Sequence, residues 1–444
     1  MTKNSATALK NPTQSYDLFA SKVGAEVSRV LAGGKLDRKA AASYLNGAAS
    51  EALVELVPRD TRSTDGIFFS GKKLSKYVAR CLSAKIAAGA TVADPTCGAG
   101  DLLLACATLM SRGQSTAATV AQWSSRIIGL DLHGEFVNAA RARLTLLAAQ
   151  EGFSATEEVR ATRFDNLLPG NYFDHLEKIA AADCVVMNPP FAKVQTPDDC
   201  EWAKGSVQLA GVIFASVLSN AKIGQEIVAV LPDVLRCGSR YQRWRKFIDA
   251  HCVSKRIHVY GRFDEKTDVD VFVVHLTKSA RFATKSKGDW IGRALSGTNK
   301  PHSAVLNDFF KVSVGAYVPF RAKKTDEIVD YLCVGDVPAD AEVAAPSKCR
   351  FNGTLHQTPF VVIRRTSNPA DSRRVIPTLI TGPKMVAVEN HLIVLMPADG
   401  ALSSCRRLIA VLQNEETDNW MNRASRCRHL TTAIVKKLPL IGWT

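Results

Sequence analysis

The chain lacks the spacings that mark a bound metal or a disulfide framework. Its eleven cysteines are scattered singly, at positions such as Cys81, Cys106, Cys184, Cys252, Cys333 and Cys427, and no two have CxxC spacing. That excludes a zinc ribbon and a disulfide-stapled miniprotein, and points to reduced thiols in a cytosol. The nine histidines include no HExxH, so no metal site is expected. No stretch approaches the roughly 20 apolar residues of a membrane span. The N-terminal MTKNSATALKNPTQSYD has no apolar run of the kind a secretory signal needs. A cytoplasmic protein without a membrane partner is the expectation. GxGxxG and GxxxxGK[ST] are also missing, which counts against a dinucleotide pyrophosphate and a P-loop.

Acid is in short supply. Asp and Glu number 42 against 57 Lys and Arg, a formal charge of +15. Such a surplus speaks of partners rather than fold, with nucleic acid first and an anionic membrane surface second. What the chain does have is size: 444 residues, 46% hydrophobic and 22% charged. That is enough for a sizeable core and two or three domains.

The rhythm along the chain changes twice. Residues 1–14 are polar and read as loose. Tyr16 to Glu55 is helical, broken at Gly33-Gly34, and Asp60 to Asp65 reads as a polar linker. From Phe68 strands alternate with helices. Helices are expected over Leu74 to Ala88, Leu102 to Ser111, Glu135 to Gln150, Val207 to Asn220 and Tyr241 to Ala250. Strands are expected at Thr91 to Ala93, Arg126 to Leu130, Cys184 to Met187 and Glu226 to Leu231, and a strand pair over Arg256 to Tyr260 and Val269 to Leu276. This alternation predicts an α/β fold on a largely parallel, doubly wound sheet. After Ser279 short β-rich pieces appear, VSVGAYVPF, PFVVIRR and KMVAVENHLIVLMP, with helical segments near Thr325 to Leu332 and Arg406 to Gln413. The expected domains are a helical segment over 1–60, a catalytic domain over 61–285 and a mixed α+β domain over 300–444.

Four constellations carry chemistry. The first is Asp94-Pro95-Thr96-Cys97-Gly98-Ala99-Gly100-Asp101-Leu102, which follows a strand and opens a helix. Its glycines let backbone approach a ligand closely at a helix N-terminus. The second is Asp131, followed by Leu132, at the end of a strand. An acid there can accept ribose hydroxyls, or simply cap the next helix. The third is Asp165-Asn166, an acid placed to accept from an adenine amino group, or a turn pair. The fourth is Asn188-Pro189-Pro190-Phe191 after the apolar Cys184 to Met187. Two prolines remove backbone donors and fix carbonyls outward, and Asn188 adds a side-chain acceptor. Phe191 offers a flat face.

Together these residues resemble the class I S-adenosylmethionine-dependent methyltransferases, and among them the N6-adenine DNA methyltransferases with an NPPF or NPPY motif. The resemblance covers about residues 66–278 well and 305–440 more loosely. It implies a seven-stranded Rossmann-like sheet and a C-terminal target-recognition domain. It implies S-adenosylmethionine as cofactor, held by Phe69, Ser70, Asp94, Thr96, Cys97, Gly98, Gly100, Asp131, Leu132, Asp165, Asn166 and Asn188. Phe69, Ser70 and Gly71 stand where the family has an aromatic-Thr-Pro segment, so the proline is missing here. The catalytic set would be Asn188, Pro189, Pro190 and Phe191, with Phe263 stacking on an extruded base.

The motif order, cofactor turn before NPPF, is similar to the gamma-type arrangement of restriction-modification methylases. That implies double-stranded DNA as partner, with a cognate restriction endonuclease or specificity subunit beside it. A 5-methylcytosine enzyme would need a Pro-Cys nucleophile, and the chain has no Pro-Cys. Eight basic residues against two Asp lie between Asp233 and Arg262. Arg236, Arg240 and Arg243 from that stretch, with Arg364, Arg365 and Arg374 from the tail, are the expected DNA contacts. Two other readings remain open: an NPPF-type methyltransferase of ribosomal RNA or of protein glutamine, and a catalytically silent DNA-binding subunit.

Overall fold

The computed structural model describes residues 12–32, 34–150, 164–198, 200–263, 269–280, 290–291, 304–321, 325–382 and 385–443. Most of the loose stretch expected over 1–14, and of the boundary expected near 280–300, lies outside these residues. The chain forms two compact units, Met1–Leu235 with Arg243–Gly288, and Arg236–Gln242 with Asp289–Thr444.

The first unit opens with four helices: α1 (Asp17–Leu31), α2 (Arg38–Tyr44), α3 (Ala48–Leu56) and α4 (Arg59–Asp65). Asp37 starts α2 by accepting from the backbone N–H groups of Lys39 and Ala40, the usual N-cap bond. Helix α4 replaces the expected polar linker. Pro58 precedes its first turn and Gly66, left-handed at φ +67°, ends it, so the stretch carries helix start and stop signals despite its polarity. Next come α5 (Gly71–Cys81), α6 (Ser83–Ala87), β1 (Val92–Asp94), α7 (Asp101–Ala107), α8 (Thr116–Ser124), β2 (Ile127–Asp131), α9 (Gly134–Ala149), β3 (Leu167–Pro169), α10 (Leu176–Ala181) and β4 (Cys184–Met187). A small hairpin of β5 (Lys193–Gln195) and β6 (Ser206–Gln208) leads to α11 (Leu209–Asn220), β7 (Glu226–Pro232), α12 (Asp233–Cys237), α13 (Gln242–Ala250), β8 (Cys252–Arg262) and β9 (Asp270–Lys278).

Seven strands make one sheet in the order β3-β2-β1-β4-β7-β9-β8. The first five are parallel, and β9 runs antiparallel to both β7 and β8. The strand pair read from the sequence is thus an antiparallel end to an otherwise parallel sheet. β1, β4 and most of β7 are buried throughout, which is why they read as unbroken apolar runs. Helix α9 explains where the N-terminal helices sit. Val137, Ala140, Leu144 and Leu147 join the sheet core, while Phe136, Ala139 and Leu146 join the core of α1 and α3. A helix apolar on both sides must be covered on both sides.

The second unit holds β10 (Phe310–Val314), β11 (Ile328–Leu332), β12 (Glu342–Ala344), β13 (Ser347–Arg350), β14 (His356–Gln357), β15 (Phe360–Arg364), β16 (Pro377–Thr381), β17 (Met385–Val388) and β18 (Leu392–Pro397). Its helices are α14 (Leu306–Phe309), α15 (Leu402–Leu412), α16 (Glu415–Ala424) and α17 (Thr432–Val435). Two sheets form, β10-β18-β15-β16-β12 and β13-β11-β17-β14. Alternate residues of β15 serve two cores. Val361 and Ile363 pack with the helices α15 to α17, and Phe360 and Val362 pack with Val386 and Val388 of the other sheet. The helix expected near Thr325 to Leu332 is strand β11 instead. It pairs with β13 on one side and β17 on the other, and its Ile328, Val329 and Tyr331 suit that pairing better than a helix.

Candidate active site

The site lies at the carboxyl edge of the parallel strands, where ligands bind in this architecture. β1 ends at Asp94 and the chain turns through Gly98 and Gly100, both at positive φ, +51° and +87°. Each glycine is required by its neighbour. A Cβ on Gly98 would stand 2.8 Å from the Phe69 ring, and one on Gly100 3.0 Å from Ala140 of α9. Asp131, at the tip of β2, braces the turn, its carboxylate accepting from the Gly98 N–H at 2.8 Å and the His133 N–H at 3.0 Å. Leu132 beside it is 70% exposed.

Burial pushes the Asp94 carboxyl up to about 8, against the pull of the Thr96 backbone N–H. Burial raises Asp131 as well. An acid raised in the folded state holds its proton longer than in the unfolded chain, so folding binds protons. Stability is therefore expected to fall as pH rises from about 4 to about 8. Asp94→Asn should flatten that fall, read from denaturation midpoints across the window. An unchanged slope would exclude Asp94 as its source.

The NPPF loop follows β4. Asn188 is fixed by its own amide, whose Nδ2 donates to the Phe68 carbonyl at 3.0 Å. Its Oδ1 is buried and has no hydrogen-bond partner. Phe191 N–H donates to the Gly66 carbonyl at 3.1 Å. Gly66 lies so close that a Cβ there would stand 2.4 Å from the Ala192 nitrogen and 2.5 Å from that of Phe191. The stretch from Gly66 to Phe69 is thus a backbone splint for the loop. Gly66→Ala is expected to shift the loop and lower kcat on the order of 10²-fold. A Kd for S-adenosylmethionine, the cofactor the sequence resemblance implies, within a few-fold of wild type would separate this from loss of the glycine turn.

One cavity of about 560 Å³ joins these parts. Phe69, Thr96, Gly98, Asp131, Leu132, Asn188 and Pro190 line it, with Phe68, His133, Phe136, Asn171 and Tyr172 among the others. That volume suits a small-molecule ligand, for which roughly 300–1,000 Å³ is typical. Ser70, Asp94, Cys97, Gly100, Pro189, Phe191 and Phe263 are not on its wall. Asp94 lies buried under the turn, and buried Cys97 donates its N–H to the Leu130 carbonyl. Phe191 and Phe263 instead meet each other edge to face, with centroids 5.7 Å apart, and Phe68 lies about as near to both, at 5.9 and 6.0 Å.

Two expectations, covering four residues, are corrected. Asp165 and Asn166 precede β3 rather than follow a strand, so they lie at the opposite edge from the cavity. Asp165 is exposed, and Asn166 Nδ2 donates to the Ser124 carbonyl. The carboxyl end of β3 presents Gly170, Asn171 and Tyr172 instead. Arg236 and Arg374 are buried, 2% and 1% exposed. Their guanidinium groups donate to backbone carbonyls and polar side chains of the second unit, so neither presents a charge to phosphate. Arg240, Arg243 and Arg364 are exposed and Arg365 half-buried; the last two also donate to the carbonyls of Val337 and Asn390.

Sequence reading missed Gly66, Phe68, His133 and the buried Arg143. Arg143 joins Asp101 at 2.9 Å and donates to the carbonyls of Ala99 and Tyr44. Asp101 in turn accepts from Gly71 N–H at 2.8 Å. One ion pair thus ties the glycine turn to α2, α5 and α9. A basic residue on the apolar stripe Phe136, Ala139, Leu146 of α9 was the available signal.

Comparison with known proteins adds the following. No curated protein matches the chain by sequence. Among solved structures, a modification subunit assigned to a type I restriction enzyme of Vibrio vulnificus is 16% identical, over 52% of this chain and 48% of that one, with a TM-score of 0.38. The type IIG restriction endonuclease BpuSI is 12% identical over 97% and 71%, with a TM-score of 0.43. The type IIL enzyme MmeI is 12% identical over 82% and 63%, with a TM-score of 0.44. The chain spans about half the length of the Vibrio subunit. The model of the N-6 DNA methylase family matches residues 43–287, more than half of the chain. By that match the chain belongs to the N-6 DNA methylase family.

Proposed function

We propose that the protein transfers a methyl group from S-adenosylmethionine to the N6 amino group of an adenine extruded from double-stranded DNA, as the modification enzyme of a restriction-modification or related host-defence system. The observation that carries this reading is the buried, unpartnered Oδ1 of Asn188 on the wall of the cavity. A buried acceptor without a donor is costly unless a ligand supplies one, and an exocyclic amine does.

The residues present fit the cofactor. Gly98 leaves room that a Cβ would fill against Phe69, Asp131 offers carboxylate oxygens at the strand tip, and Leu132 presents an exposed apolar face beside it. S-adenosylmethionine, when bound, supplies an electrophilic methyl group on a positively charged sulfur.

The chain's own residues prepare the amine. The N6 lone pair of adenine is delocalised into the ring, which makes it a poor nucleophile. Asn188 Oδ1 and the Pro189 carbonyl accept its two N–H hydrogens and localise the pair on nitrogen. The Phe68 carbonyl keeps the Asn188 amide from rotating, since only Nδ2 can donate to it. Positioned acceptors of this kind supply the rate by orientation and fixed dipoles, without a covalent enzyme intermediate. Half-buried Phe191, backed edge to face by the buried Phe263, is the aromatic group left to face the base, whose removal from the stack costs a few kcal/mol. Exposed Arg240 and Arg243 are the remaining candidates of their stretch for phosphate contacts.

The test is product identity. Protein, methyl-labelled S-adenosylmethionine and unmethylated duplex DNA are incubated, and the DNA is digested to nucleosides. Label in N6-methyldeoxyadenosine is the expected result. Label only in RNA or protein overturns the DNA substrate, and binding of cofactor and DNA without transfer means a silent subunit.

A further inference from the structure

The two buried arginines frame a pair of thiols. Cys237 Sγ and Cys427 Sγ lie 3.0 Å apart across 190 positions of sequence. That is about 1 Å longer than the ~2.05 Å of an S–S bond. Cys237 is 7% exposed and Cys427 is half-buried, so an oxidant in solution reaches Cys427 more readily.

Both thiols sit on a fixed scaffold. Arg236, the residue before Cys237, donates through Nη1 to the carbonyls of Arg423 and Ala424 at 2.7 and 3.2 Å, and to those of Trp290 and Ile291 at 3.1 Å. Arg423 and Ala424 end α16, so this guanidinium satisfies carbonyls that a helix C-terminus leaves open. Arg374 holds the other side, donating to the carbonyls of Ser425 and Cys427 at 3.0 and 2.8 Å. Between them Ser425 Oγ donates to Cys237 Sγ at 3.3 Å and accepts from Cys427 N–H at 3.2 Å. The two sulfurs need approach by only about 1 Å to reach bonding distance.

We propose that Cys237 and Cys427 are a modification site: a dithiol that a peroxide oxidises to a disulfide. The Cys427 thiolate attacks one peroxide oxygen and the O–O bond breaks, giving a sulfenic acid and water once protons are redistributed. The Cys237 sulfur then attacks the Cys427 sulfur, the S–O bond breaks, and a second water leaves. Two thiols and one hydrogen peroxide give one disulfide and two waters, so sulfur loses two electrons and peroxide oxygen gains them. The product ties the segment Arg236–Gln242 covalently to the chain after α16.

The test uses the full chain. Folded protein is treated with hydrogen peroxide, remaining thiols are alkylated, and the unreduced digest is mapped by mass spectrometry. The expected result is a joined Cys237–Cys427 peptide lacking two hydrogens, with alkylation lost at both positions together and restored by dithiothreitol. Cys237→Ser should stop at a Cys427 sulfenic acid that dimedone traps, and Cys427→Ser should leave Cys237 alkylatable. Full alkylation of both residues, under peroxide that oxidises the protein's other half-buried thiols such as Cys81 and Cys200, overturns the proposal. So does coupling of Cys427 to a third cysteine. Should Cys237→Ser fail to fold, the wild-type map and Cys427→Ser decide the matter.

Discussion

Asn188→Ala is expected to lower kcat by about 10²–10³-fold, the range seen when one preorganised polar group at a reacting centre is removed. Its cofactor Kd should stay within a few-fold of wild type, because Asp131 and the Gly98 turn are braced by backbone bonds that Asn188 does not make. Initial rates with labelled S-adenosylmethionine, and equilibrium binding of the same compound, check both halves. A rate within ten-fold of wild type would remove Asn188 from the chemistry. An equal fall in cofactor affinity would make it a binding residue instead.

Arg143→Met should have the largest effect on stability. The substitution leaves Asp101, whose side chain is 12% exposed, as a nearly buried carboxylate without its cation, and strips donors from the carbonyls of Ala99 and Tyr44. Breaking a buried pair by removing one partner costs about 3–5 kcal/mol, a large share of the ~5–15 kcal/mol that holds a typical domain folded. The measurement is the urea midpoint of the first unit's transition. Adding Asp101→Asn to Arg143→Met should recover part of the loss, since no buried charge is then left alone. A double variant no more stable than the single one would show that the carbonyl bonds, not the charge, dominate.

Much of the first unit was legible because its motifs are local. The alternation of strands and helices, the glycine turn and NPPF all lie in short continuous stretches. Apolar strands buried on both faces announced themselves, and Cys184 to Met187 matches β4 residue for residue. What was not legible depends on residues far apart in sequence. Nothing around Gly66 says that its Cβ would collide with residues 191 and 192. Asp165 was placed by analogy with an acid after a strand, and only the register of β3 on β2 reveals which edge it occupies. Arg236 and Arg374 look like any basic residues in a basic stretch. Composition gives their charge, but burial decides whether that charge reaches a partner. The helix expected at Thr325 to Leu332 failed for the related reason that both of its strand partners lie elsewhere in the sequence.

The side chain of Arg236 also sets an order on synthesis. Its carbonyl partners are residues 290, 291, 423 and 424, so the segment Arg236–Gln242 leaves the ribosome long before the last of them exists. The sheet can meanwhile be completed by β8 and β9, which flank that segment on its downstream side. During translation the strands of the first unit can therefore pair before Arg236 meets the carbonyls of residues 423 and 424.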